Sequence, residues 1–419
     1  MSLNILSQWR AGYNASLYYR LHLPMQMMLK HKLASPILAL PEAQFTNDEL
    51  ADAYEAADIA WQYQPVDPQF QNILEHSLRM PSRWTSETDW EPPFSMVIDT
   101  DDDLFNIMPT NRTPFRDMGT RVDGRDLEPG AVISVENDEG KAVELWRDGV
   151  AGFDVGRNLQ RMAQYRTNLG LAAMVTCSTP RSAAYVNREV PNANTFVMPN
   201  CFNFEEYPEV ELADKGKQVR LLWQGSNTHL EDIAPYRYSI AKILKANPHV
   251  ELVMWGEPYH WPEWPKEQLK LLGWNDYREF KLRLSMMNHD INLCFLQDYE
   301  FGNARSAIKF GESSAIWKPA ATLASRVGAF ADECIDGETA LLFSGNEEFE
   351  TKLQGLIDDT TLRKTLASNA KDWIRTNRDP VVWTTKLVEA FESIRRVKKL
   401  ASKEPPKPKE TNAESVSAE

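Results

Sequence analysis

The strongest constraint on this chain is a repeated alternation of short apolar runs, turn formers and helix-length segments. In the second half the runs fall at 219–223, 250–254, 269–272, 291–296, 320–324 and 340–343. Runs this short and this evenly apolar fit strands buried on both faces, the habit of parallel sheets covered by helices. The first half carries similar runs at 3–6, 94–98, 172–177 and 195–198, and 419 residues suffice for two cores. The expected fold class is α/β, with two Rossmann-like parallel-sheet domains facing across a cleft.

One stretch of the second half carries chemistry. After the run 291–296 come Asp298, Tyr299, Glu300, Phe301, Gly302 and Asn303, rich in turn formers, then an expected helix over 304–317 stopped at Lys318-Pro319. Arg305, Lys309 and Glu312 stand at i, i+4 and i+7, so the spacing predicts one shared helix face. Two cations near a helix N-terminus suit a diphosphate, and a carboxylate further along can accept from both hydroxyls of a ribose. The plainer reading is a solvated face with a Lys309–Glu312 pair. Position favours the first reading, because ligands of open α/β sheets bind just beyond the carboxyl ends of strands.

The residues Ser306-Ala307-Ile308-Lys309-Phe310-Gly311-Glu312, followed by Lys318-Pro319-Ala320 and Asp336-Gly337-Glu338-Thr339-Ala340-Leu341-Leu342, resemble the donor-site block of the "group 1" GT-B glycosyltransferases. The resemblance is specific over 219–374 and diffuse before it. It implies the GT-B architecture and a retaining transfer of sugar from a nucleoside diphosphate-sugar donor to an acceptor hydroxyl. It requires no cofactor: a divalent metal is possible but not expected. Glu312 matches the second Glu of the family's E-x7-E motif and would hold the ribose. Lys309, supported by Arg305, would stabilise the leaving diphosphate. Gly225, Ser226 and His229, in the turn after the run 219–223, would meet phosphate or sugar, although a helix-start histidine with a local role is an equal reading of His229. Thr228 to Glu231 reads as a capping box. The motif's first Glu falls at Ala304, a departure for which Glu300 or Asn303 would have to substitute, and Ser306 completes the donor set.

On the acceptor side, Gly12 and Arg20 follow the first strand candidate, and the run 94–98 leads into Asp99-Thr100-Asp101-Asp102-Asp103. The acidic residues have three readings. They can cap a helix begun at Leu104, face the cleft through Asp101 and Asp102, or hold a divalent ion as in the metal-dependent GT-A architecture through Asp99, Asp101 and Asp103. Two further alternatives are a non-catalytic glycosyltransferase-like binding or scaffold protein, which Ala304 favours, and a nucleotide-sugar epimerase.

The expected organisation is a first domain over 1–210, with a β-hairpin insertion near 130–147, and a donor domain over 217–378. A helix over 380–399 returns to the first domain, and a tail over 400–419 lacks large apolar residues beyond Val416 and is expected to be disordered. Other expected helices cover 16–32 with Pro24 inside, 49–64 and 69–80. The apolar stripe Met25 to Lys32 is core or, less simply, a peripheral membrane contact. The indole and phenol rings around 255–274 are a stacking surface for a base or ordinary packing. The net charge of −14 argues against a general nucleic-acid surface. The open acceptor classes are a glycan, a lipid-linked sugar, a protein or a modified base. Four scattered cysteines, and no run resembling a signal or membrane span, lead to the expectation of a cytoplasmic protein with free buried thiols.

Overall fold

The computed structural model describes residues 2–9, 12–40, 46–64, 94–136, 140–257 and 259–395. The expected helix over 69–80 and the tail over 400–419 lie outside them. The strands in chain order are β1 (Asn4–Gln8), β2 (Ser35–Ala39), β3 (Ile59–Tyr63), β4 (Ser95–Thr100), β5 (Arg121–Val122), β6 (Arg125–Asp126), β7 (Val132–Glu136), β8 (Ala142–Arg147), β9 (Met174–Cys177) and β10 (Thr195–Val197). They continue as β11 (Val219–Gly225), β12 (Val250–Gly256), β13 (Leu269–Leu272), β14 (Ile291–Cys294), β15 (Ala321–Ser325) and β16 (Leu341–Phe343).

Two six-stranded sheets form, ordered β10-β9-β4-β3-β1-β2 and β13-β12-β11-β14-β15-β16. Every pairing within them is parallel. Strand order reverses between β1 and β3 in the first sheet and between β11 and β14 in the second. At such reversals the connections leave on opposite faces and a crevice opens at the strands' carboxyl ends. Phe295, Phe343 and Phe349 pack with Tyr236 under the second sheet. Helix Pro380–Ser393 returns to the first sheet, where Phe391 meets Trp61 edge-on and Ser95 Oγ donates to the Ile394 carbonyl at 2.6 Å. The pairs β5–β6 and β7–β8 are antiparallel, the second being the hairpin expected near 130–147.

Several expected elements differ. The segment 49–64 is a helix, Asn47–Ala56, and then β3, because a run such as Ile59-Ala60-Trp61 satisfies helical and strand patterns alike and sheet pairing decides it. β2 is an edge strand carrying Pro36, which an edge tolerates. Before Pro24 the helix widens into a π turn, Tyr18–His22, which accommodates a residue with no N–H to donate. Met25, Met27 and Met28 are buried, so that stripe is core. No helix starts at Leu104; the chain turns there and the helix begins later, at Arg112–Met118. Among the described residues no helix is long and apolar enough to cross a membrane, and the four cysteines are buried and unpaired.

Candidate active site

The carboxyl ends of the two sheets face each other across one cleft with two connected chambers. The larger, about 730 Å³, is lined by Gly12, Gln224, Gly225, Trp274, Tyr277 and Glu312 among others. The smaller, about 270 Å³, has Asp101, Asp102 and Asn200 on the first domain's side and Thr228, Arg305 and Ser306 on the second's. Ser226, His229 and Lys309 line both. A roomier opening of about 880 Å³ lies at the amino ends of β11 and β15, the side of the sheet away from the topological crevice.

The expected single helix over 304–317 is two helices, Glu300–Ala304 and Ile308–Ala315, with Arg305 in extended backbone between them. Arg305 therefore does not share a helix face with Lys309 and Glu312. It reaches the cleft from the break instead. Its guanidinium packs on the Phe301 ring, donates to Thr228 Oγ1 at 3.0 Å, approaches His229 Nδ1 at 2.8 Å and Nε2 at 3.0 Å, and lies 3.6 Å from Asp232 Oδ2. His229 Nδ1 lies 2.7 Å from Asp232 Oδ2, and Asp232 Oδ1 accepts from the Gln297 amide. This network holds the imidazole between the Asp232 carboxylate and the Arg305 guanidinium. Burial, with Arg305 and Lys309 beside it, holds His229 well below its usual value and so favours the neutral form. Thr228 is thus engaged with Arg305 and with Ser226 Oγ, and the expected capping box does not form.

Lys309 sits in the first turn of Ile308–Ala315, a helix whose N-terminus has no side-chain cap. Its ammonium lies 5.7 Å from the centre of the Trp223 ring. Among the described residues no carboxylate lies within ion-pairing distance of it. Burial pushes Lys309 down to about 8, although part of its surface still faces the cleft. Burial likewise raises Glu312 to about 7, against the hydrogen bond from Tyr19 and the charge of Lys309. Glu312 Oε2 accepts from Gln224 at 2.9 Å, and Oε1 from Tyr19 at 3.1 Å and Tyr277 at 3.4 Å. Neutral donors thus hold this carboxylate in place without cancelling its charge. Two glycines are demanded by close approach: a Cβ on Gly256 would lie 2.5 Å from the Gly225 carbonyl, and one on Gly311 would lie 2.0 Å from the Phe202 ring.

Other expected site residues lie elsewhere. Arg20 is fully buried beneath the cleft, bound twice to Asp99 at 3.0 and 2.8 Å, so it does not face the acceptor space. Glu300 pairs with Arg188 at 2.8 Å, away from both chambers. Asn303 is used locally, donating to Asp298 and accepting from the Gly328 amide. Ala304 is fully buried, with its carbonyl taking the Thr179 hydroxyl at 3.3 Å. Ser306 accepts from Asn200 across the cleft at 3.0 Å.

The carboxylates of the acidic run do not converge. Asp99 holds Arg20 and Thr176, Asp103 holds the Phe105 amide and Asn106, and Asp101 accepts from Tyr63 at 2.6 Å. Asp102 has no hydrogen bond to its carboxylate among the described residues and shares the smaller chamber with Arg305. Burial raises Asp101 to about 7. Sequence reasoning missed Asp232 and Gln224. Asp232, at i+3 from His229, was within reach of a helical-spacing argument. Gln224 carries no local signal.

No protein-family model and no curated protein matches this chain by sequence. Solved structures do match by shape. Sucrose-phosphate synthase from Thermosynechococcus elongatus superposes with a TM-score of 0.57 at 10% identity, covering 94% of this chain and 99% of its own. Anabaena HepE in complex with UDP and glucose gives 0.57 at 10% identity, over 93% of this chain and all of its own. A glycosyltransferase from Rickettsia africae gives 0.55 at 12%, over 94% and 98%. The fold is therefore GT-B, the two-domain architecture of these proteins and not GT-A, which removes the architecture on which the Asp99–Asp103 metal reading rested.

Proposed function

We propose that this protein is a glycosyltransferase that moves a sugar from a nucleoside diphosphate-sugar to an acceptor hydroxyl, with retention at the anomeric carbon as the resemblance implies. The observation that carries this reading is Lys309: a cation at the crevice of the second sheet, largely enclosed and, among the described residues, with no carboxylate within ion-pairing distance. Such a charge is costly unless an anion completes it. A diphosphate would meet Lys309, Arg305 and the first amides of the helix Ile308–Ala315 together, and those groups would stabilise the charge that builds as the sugar–phosphate bond breaks. Glu312, deeper in the larger chamber, would take the ribose hydroxyls and so position the donor. Gly225 and Ser226 would let backbone approach the phosphates. Gly12 would border the donor, and Asp101 and Asp102 would face the incoming acceptor. With two protein cations at the diphosphate, transfer is expected to persist in EDTA.

The test is a thermal-shift and calorimetry panel of UDP, GDP, ADP and their sugars against wild type, Lys309→Ala and Glu312→Ala. The expected result is one nucleotide binding with EDTA present and losing affinity in both variants. Failure of every nucleotide to bind would overturn the donor assignment. A second reading, binding without turnover, is favoured by Ala304, which places no carboxylate at the sugar. Nucleotide-sugar binding with neither transfer nor hydrolysis would select it.

A further inference from the structure

Beside the cleft lies a separate groove of about 550 Å³, lined by Met108 of the first domain and by Glu231, Tyr238, Gln297, Asp298 and Tyr299 of the second. The groove shares no lining residue with the smaller chamber but adjoins it along the chain. Leu296 lines the chamber and Gln297 the groove; His229 lines the chamber and Glu231 the groove. Asp232 stands between them, bonded to His229 on one side and to the Gln297 amide on the other. We propose that this groove holds further sugar units of an oligosaccharide acceptor whose terminal unit enters the smaller chamber. This rests on the glycosyltransferase reading and narrows its acceptor to a glycan.

The wall chemistry fits a saccharide. Tyr238 is 58% exposed. The neighbouring Arg237 guanidinium sits 4.6 Å over one face of its ring and donates to its hydroxyl at 3.1 Å. The face left open offers a platform to the C–H face of a pyranose. In the same groove, Asp298 Oδ1 accepts from Asn303 at 2.8 Å, while its other oxygen takes no hydrogen bond among the described residues. That oxygen is an acceptor for sugar hydroxyls. Two carboxylates in one groove, on a chain of net charge −14, disfavour a phosphate-rich polymer there.

The test uses the full chain with soluble hexasaccharides and disaccharides of glucose, N-acetylglucosamine, mannose and galactose as probes, and UDP, GDP and ADP in parallel. Calorimetry should find at least one hexasaccharide bound about tenfold or more tighter than its disaccharide. Tyr238→Ala and Asp298→Ala should each remove that gain while leaving the nucleotide-induced thermal shift intact. Absence of any hexasaccharide preference, or a preference indifferent to both variants, overturns the proposal. Loss of the nucleotide shift in wild type strikes the donor assignment instead.

Discussion

Arg20 in the first domain and Lys309 in the second are both enclosed cations near a strand's carboxyl end, and they behave as opposites. Arg20 is sealed in, chelated by Asp99 and donating to the Met198 carbonyl and to Asn200 Oδ1. Every polar edge of it is answered from within the protein. Lys309 has an indole at a distance, Arg305 and His229 beside it, Asp232 and Glu312 acting on it only from further off, and no carboxylate within ion-pairing distance among the described residues. A buried charge that the fold itself neutralises is architecture. One that the fold leaves open at a cleft is waiting for a ligand.

That contrast can be broken by substitution. Arg20→Ala leaves Asp99 buried without its partner and is expected to cost about 3–5 kcal/mol of stability, read by urea unfolding. Lys309→Ala should leave unfolding nearly unchanged while lowering transfer by roughly 10²–10³, about 2.7–4 kcal/mol at the transition state. Equal stability losses in both would erase the distinction. Glu312→Ala comes next: losing hydrogen bonds to a charged group should weaken nucleotide binding by about 1.5–3 kcal/mol in calorimetry, more than it slows chemistry at saturation.

A pH series sharpens the comparison further. Donor binding needs Glu312 ionised and Lys309 protonated. With Glu312 raised to about 7 and Lys309 lowered to about 8, affinity should climb as pH rises through 7 and fall again above 8. Arg20, paired to Asp99, should contribute nothing to that profile, and a monotonic curve would count against these two groups as the determinants. The smallest effect is expected at the exposed Arg188–Glu300 bridge between the domains, whose removal by Arg188→Ala should change stability by about 0–1 kcal/mol and leave nucleotide binding alone.

The second domain was largely legible because its information is local. Six short apolar runs and the block around Glu312 are contiguous patterns, and β11–β16 follow them closely, although Gly225, expected in a turn, ends β11 paired with Gly256. The first domain was harder. β2 and β3 escaped notice, one an edge strand carrying a proline and the other continuing a helix-like run, since pairing rather than periodicity makes each a strand. Arg305 shows the limit inside the legible half: its i, i+4 relation to Lys309 was real in sequence, but the helix breaks between them.

By itself, then, the sequence determined the alternation that builds two parallel sheets and the residue types gathered at the second one's crevice, because burial periodicity and turn chemistry act over a few residues. Only the tertiary structure decided which charges are answered. Arg20 and Asp99 are 79 positions apart, and Tyr19 reaches Glu312 across 293. No local pattern records such pairings. They exist because two sheets, closed against each other, bring distant side chains into a space where every charge must find a partner, inside the chain or beyond it.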